Sequence, residues 1–183
     1  MAENHYHGVQ FYNDEASLTT TVSRFLAEGL KAGQPALLIA TPSHSQAIVH
    51  GLEELGLDPM ACRQAGELLL LDAKTVLSSF MVDDLPESTL FKRNLADVIE
   101  RLCAGRKPCP IRAYGEMVDL LWQQGNAEGA IKVEILWNQL ATAYDFALLC
   151  AYAFGHFYKQ TRDPRYEQIC DLHTEVLDNA GAA

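Results

Sequence analysis

What most constrains this chain is a set of apolar runs with no polar alternation. Pro35-Ala-Leu-Leu-Ile-Ala-Thr41, Glu67-Leu-Leu-Leu-Leu-Asp72 and Phe146-Ala-Leu-Leu-Cys-Ala-Tyr152 are each about one strand long. A strand that turns no face to water must be covered on both, which is the condition of a parallel sheet between helix layers. The intervening segments have helical periodicity instead. Leu18, Val22, Phe25, Leu26 and Leu30 share one face after an Asn13-Asp14 cap, and Gly29 and Gly33 mark the end. This alternation predicts an α/β fold with a mostly parallel central sheet and helices on both faces. Five strands are expected, beginning near residues 8, 36, 68, 111 and 146.

Smaller signals fill in the rest. Ser43 with Gln46 has the capping-box pattern, and the helix carrying Ile48, Leu52 and Leu55 stops at Gly56. Val76, Leu77, Phe80 and Met81 form a helical stretch that meets a polar break at Asp83-Asp-Leu-Pro86. Phe91, Leu95, Val98 and Leu102 make another amphipathic helix, closed by Gly105 and Pro108. Gln123-Gln-Gly-Asn126 is a turn with a cap, before a helix of about residues 127–143 that gathers Val133, Leu136, Trp137 and Leu140. Asp163-Pro164 opens a last helix with Ile169, Leu172 and Val176 inward. No linker or repeat divides the 183 residues, so one domain is expected.

The net charge of −10 comes without any Lys/Arg run, which argues against direct nucleic-acid binding and against anionic membrane surfaces. No stretch is long and apolar enough to span a bilayer, and the N-terminus lacks the apolar run of a signal peptide. Cys62, Cys103, Cys109, Cys150 and Cys170 include no C-x-x-C pair, so reduced thiols and a cytoplasmic location are expected.

Ligands of open α/β sheets bind outside the carboxyl ends of the strands. Ile111-Arg-Ala-Tyr-Gly-Glu-Met-Val-Asp-Leu-Leu-Trp122 has the most polar such junction, with Arg112, Tyr114 and Glu116 where a strand gives way to a helix. Glu116 there can serve a ligand or simply complement a helix N-terminus. Tyr12, Thr41 with His44, Asp72 and Tyr152 stand at other expected strand ends, and together these eight residues are the candidate ligand site. Arg112 is expected to pair with an acidic residue of that edge, Glu116 or Asp72, because its planar fork suits a carboxylate.

One absence is informative. Leu26 to Ser45 has the lead-in, strand and loop-to-helix layout of a RecA-type nucleotide unit, yet Ala40-Thr-Pro-Ser-His-Ser-Gln46 stands where G-x-x-x-x-G-K-[ST] should. The glycines and the lysine that cradle phosphates are missing, so the phosphate loop is degenerate and ATP hydrolysis of that type is not expected. H-E-x-x-H, G-x-S-x-G and G-x-G-x-x-G are also absent. His5 and His7 alone are poor grounds for a metal site, Cys150 reads as an inert core thiol, and no metal or cofactor is expected. Trp122 and Trp137 sit at helical core positions.

A series of motifs then resembles one family. It comprises His7-x-Val-Gln-Phe-Tyr12, Phe25-Leu-Ala-Glu-Gly-Leu30, Leu38-Ile-Ala-Thr-Pro42 and Arg112-x-Tyr-Gly-Glu-Met-Val118. Glu134-x-x-Trp-Asn138, Leu148-Leu-Cys-Ala-Tyr152 and Ile169-Cys-x-x-His173 complete it. In order and spacing these resemble the MEDS family, the methanogen/methylotroph DcmR sensory domain. The resemblance implies a RecA/KaiC-like fold without a working phosphate loop, used as a non-enzymatic signal-input domain for small organic molecules such as hydrocarbon derivatives. It also implies an output partner, a histidine kinase or anti-sigma-type kinase, which here would be a separate protein. Self-association is left open. Two rivals stand beside it: a degenerate nucleotide-binding enzyme using Glu116 as base and His44 in place of the lysine, and a docking module without ligand.

Overall fold

The computed structural model describes residues 5–156 and 164–177. The chain begins with β1 (His7–Tyr12), α1 (Glu15–Lys31), β2 (Ala36–Ala40), α2 (Pro42–Glu54), α3 (Pro59–Gln64) and β3 (Leu68–Asp72). It continues through α4 (Ala73–Ser78), β4 (Met81–Val82), β5 (Leu85–Pro86), α5 (Ser88–Leu102), β6 (Ile111–Gly115) and α6 (Met117–Gln123). Last come α7 (Ala127–Leu140), β7 (Phe146–Ala153), a 3-10 turn, α8 (Pro164–Asp171) and β8 (Glu175–Leu177). Six strands form one parallel sheet in the order β3-β2-β6-β7-β1-β8.

Helical crossovers place a helix layer on each face of the parallel sheet, which suits the apolar runs of β2 and β7, while edge strand β3 is only partly covered. Leu37, Leu38 and Ile39 of β2 and Leu148, Leu149 and Cys150 of β7 are fully buried. Successive side chains go to opposite layers. Leu38, Tyr114, Leu149 and Ala151 meet Leu18, Val22, Leu26, Ile48 and Leu52 of α1 and α2. Leu37, Leu148, Cys150 and Tyr152 meet Phe91, Leu95, Trp122, Trp137 and Ile169 of the helices on the other side. Trp137 at 1% and Trp122 at 7% exposure are core residues, as helical spacing predicts.

Several expectations need correction. A sixth strand, β8, pairs in parallel with Gly8 to Gln10 of β1, and Val176 is exposed on it instead of facing inward from a helix. The last helix ends at Asp171, and its expected cap, Asp163, lies outside the described residues. The polar break at Asp83-Asp84 is the turn of a β4-β5 hairpin, both aspartates having positive φ. The capping box of Ser43 and Gln46 does not form. Thr41 is the N-cap of α2, Pro42 follows it, and no side chain of the cap bonds the helix. Cys103 and Cys109 are not free thiols but a disulfide, with Cα atoms 5.8 Å apart. The turn at Gly105, with φ +78°, folds the end of α5 back toward β6 and brings the two together, which linear spacing does not reveal.

Candidate functional site

Five of the eight candidate residues meet at the carboxyl edge. β2, β6, β7 and β1 are neighbours in the sheet and end side by side there. Glu116, just beyond β6, accepts the Thr41 backbone N–H at 2.5 Å through Oε1. Its Oε2 lies 2.6 Å from His44 Nδ1, and the Tyr114 hydroxyl donates to the same oxygen at 3.5 Å. His44 also bonds Glu15 of α1 through Nε2. The hydrogen bond to Glu116 is the main cause that raises His44 to about 9, against the opposing effect of burial, so both ring nitrogens carry protons at neutral pH. Glu116 does complement a helix N-terminus, but it is that of α2 across the sheet edge.

A second carboxylate extends this constellation. Asp119 of α6 accepts the Tyr12 hydroxyl at 3.1 Å, Gln123 Nε2 at 2.7 Å and the Ala153 N–H at 3.0 Å, tying β1, α6 and β7 together. Burial first, and the Asp119 carboxylate second, push the Tyr12 phenol up. Burial followed by Glu116 does the same to Tyr114. The edge is filled: Tyr12, Tyr114, Glu116 and Asp119 are all buried, while Thr41 and His44 are part-exposed and Glu15 is open to solvent.

Three candidates lie elsewhere. Asp72, half-buried, closes the carboxyl end of edge strand β3 beside Ala40 but turns to cap α4, accepting from the Thr75 N–H at 2.8 Å and the Thr75 hydroxyl at 2.7 Å. Arg112 does not pair with Glu116 or Asp72. It sits near the opposite, amino end of β6, where four residues of strand separate it from Glu116 by about 13 Å. There it donates to Phe25 O and Gln34 Oε1, lies over the Phe25 ring and forms an ion pair with Glu28 at 3.4 Å. A groove of about 560 Å³ opens at that amino end, lined in part by Arg112, Gln34, Tyr6 and Tyr144. Tyr152 faces the α7 layer and donates to Glu134 Oε1 at 2.8 Å.

Around Glu134 is a second polar cluster that the sequence reading did not assemble. His7 Nε2 lies 3.3 Å from Glu134 Oε2, Cys150 Sγ 3.3 Å from the same oxygen, and His173 Nε2 3.4 Å from Oε1. Burial would raise the Glu134 carboxyl, but His173 and His7 hold it well below its ordinary value. Burial and then Glu134 push the Cys150 thiol up. The thiol is buried as expected, though in polar company.

A parallel six-stranded sheet between helix layers, with its polar residues at the carboxyl edge, defines a RecA-like α/β domain. The KaiC-like protein of the hyperthermophilic archaeon Pyrococcus horikoshii OT3 shares that fold, with a TM-score of 0.60 and 16% identity over 93% of this chain and 70% of that one. The chain belongs to the family described as MEDS: MEthanogen/methylotroph, DcmR Sensory domain, whose pattern matches residues 6–173. It is thereby a sensory domain, with a role in signal input. No curated protein matches the sequence.

Proposed function

We propose that this domain takes in its signal without catalysis, by binding a small organic molecule at the carboxyl edge of the sheet, and hands it to a regulator. A histidine kinase or an anti-sigma-type kinase fits that output. The observation that carries this reading is the place of Glu116. At the start of α2, where a RecA-type unit would receive phosphate on backbone amides, the Thr41 N–H is already given to a buried carboxylate. An incoming phosphate meets negative charge there and finds no lysine. His44 and Glu15, the more exposed members, leave the edge addressable by a small neutral or cationic molecule such as a hydrocarbon derivative.

A cytoplasmic setting is part of this proposal, although the Cys103–Cys109 disulfide removes the free-thiol argument for it. Among the described residues no helix is long and apolar enough to cross a membrane. The acidic surface does not suit nucleic acid. A docking module without ligand is the second reading, favoured by how completely Tyr12, Tyr114 and Glu116 fill the edge.

Calorimetry and thermal-shift titration with one-carbon, halogenated and short-chain compounds would decide. A binding compound should raise the melting temperature of the wild type, and Glu116→Gln or Tyr114→Phe should weaken it by roughly tenfold, the worth of one charged hydrogen bond. Equal binding by the wild type and both variants would remove the edge as the site. Stabilisation by ATP with magnesium, accompanied by phosphate release, would replace the reading with an enzyme. Kinase binding with no response to any compound would favour docking.

A further inference from the structure

The Glu134 cluster is independent of the carboxyl-edge reading. It joins four elements: His7 opens β1, Cys150 lies within β7, Glu134 is on α7, and His173 follows α8. The side chains of His7, Glu134 and His173 have 0% exposure, and Cys150 is likewise at 0%. Buried groups of this kind must find partners of the right polarity.

Each histidine is oriented by its far nitrogen. Asn138 donates through Nδ2 to Leu172 O at 2.9 Å, which turns its Oδ1 toward His7 Nδ1, also at 2.9 Å. His173 Nδ1 donates to Ile169 O at 2.6 Å. Both Nδ1 atoms therefore hold the ring proton, and both Nε2 lone pairs point into the cluster. His173 Nε2 is buried there without a hydrogen-bond partner. What the two nitrogens face is a carboxylate, itself an acceptor only, at 3.3 and 3.4 Å. Lone pairs meeting lone pairs in a dry core need positive charge between them. One proton, on His173 where burial opposes it but the Glu134 carboxylate favours it, would balance the charge but leave the His7 Nε2 lone pair facing Oε2, and protonating both rings would leave a buried net charge. A divalent cation, with the Glu134 carboxylate and a Cys150 thiolate, sums to zero.

We propose that His7, Glu134, Cys150 and His173 bind one divalent transition-metal ion of the Zn²⁺ type in a closed, four-coordinate site. Zinc bonds of about 2.0–2.3 Å make a tetrahedron with edges of about 3.4–3.7 Å. His7 Nε2, Glu134 Oε2 and Cys150 Sγ form one such face, with separations of 3.3, 3.3 and 3.5 Å, while His173 Nε2 lies 3.4 Å from the other oxygen, Oε1, and one donor atom from each of the four residues falls within 4.8 Å of the rest. Two imidazoles with one thiolate and one carboxylate suit zinc or cobalt over the hard cations that prefer all-oxygen sites. Asn138, the Ile169 carbonyl and the Tyr152 hydroxyl, which donates to Glu134 at 2.8 Å, hold three of the four ligands from behind. On binding, the Cys150 thiol gives its proton to solvent and the metal–sulfur bond takes its place. The ion fastens the segment from α8 to β8 onto α7 and the sheet.

The test uses the full chain, stripped with EDTA and titrated with Co²⁺. One Co²⁺ per chain should bind, with the intense visible bands of tetrahedral cobalt and a thiolate-to-cobalt charge-transfer band, and Zn²⁺ should displace it. Cys150→Ser should lose the charge-transfer band, while Cys62→Ser should keep it. Glu134→Gln and His173→Gln should weaken binding by about 100-fold or more, and Asn138→Ala by about 10- to 100-fold as an outer-shell change. His50→Ala, which alters an exposed histidine beside Glu53 and Glu54, should change nothing. Should the ligand variants fail to fold by circular dichroism, the wild-type stoichiometry and spectrum decide. Folded, stripped protein that takes up no Co²⁺, or cobalt bands without sulfur character, would overturn the site.

Discussion

At the scale of single residues, His44 sets a pH dependence whose sign can be worked out. Its folded-state value of about 9 lies above the ordinary 6.5, so the native state holds the proton more tightly than the unfolded chain. The stabilisation is fully present below pH 6.5 and is lost as pH rises through 9. His44→Gln should therefore cost about 1.5 kcal/mol near pH 6 and almost nothing near pH 10. Urea unfolding across that range checks it, and a cost that does not vary with pH would sink the assignment. In Glu116→Gln, NMR titration should find the His44 ring moved back toward 6.5, since Glu116 is the leading cause of the rise. Sequence made Glu116, Tyr114 and Tyr12 visible as polar groups at strand ends. It could not assign Arg112, because a residue at the start of a strand and one just past its end look adjacent in sequence while lying at opposite edges. The Glu134 cluster was out of reach for a related reason. Its members stand far apart in the chain, and only strand register and helix phase bring them together.

At the scale of elements, Gly29 shows how packing reverses propensity. Alanine in a helix interior is favoured over glycine by about 1 kcal/mol. A Cβ at residue 29, however, would run into the Cγ of Arg112, which lies against α1. Gly29→Ala should thus destabilise by about 1 kcal/mol, and in an Arg112→Ala background it should become stabilising. Chemical denaturation of the four proteins in that cycle gives the answer, and a stabilising Gly29→Ala in the wild-type background would contradict it. Long elements were legible because burial leaves an apolar run or a helical stripe. Short ones were not. β8 has three residues, two of them exposed, so its place in the sheet comes from pairing with β1 and leaves no mark in the sequence. The β4-β5 hairpin has two residues per strand and is equally silent.

For the molecule as a whole, the order β3-β2-β6-β7-β1-β8 fixes where opening is costly. β6 and β7 are paired on both sides and covered by both helix layers, whereas β3 and β8 each have one neighbour. Native-state hydrogen exchange should find the slowest amides in β6 and β7 and much faster ones in β8 and the β4-β5 hairpin. Uniform protection across all six strands would mean that edge and centre open together. The parallel sheet was readable from apolar runs alternating with helical stripes, since parallel strands are covered on both faces, although β3 at the edge fully buries only Leu68 of its run.

The bond from Thr41 to Glu116 turns the edge into a competition. Glu116 is an anion tethered to its own receptor, and its effective concentration there is on the order of millimolar or above. On the proposed function, any external anion must compete with that tether, so phosphate and carboxylate metabolites well below that concentration are disfavoured. A molecule that engages His44 or Glu15 and leaves Glu116 in place meets no such competitor. Selectivity at the proposed site is then set by an occupant the protein carries with it.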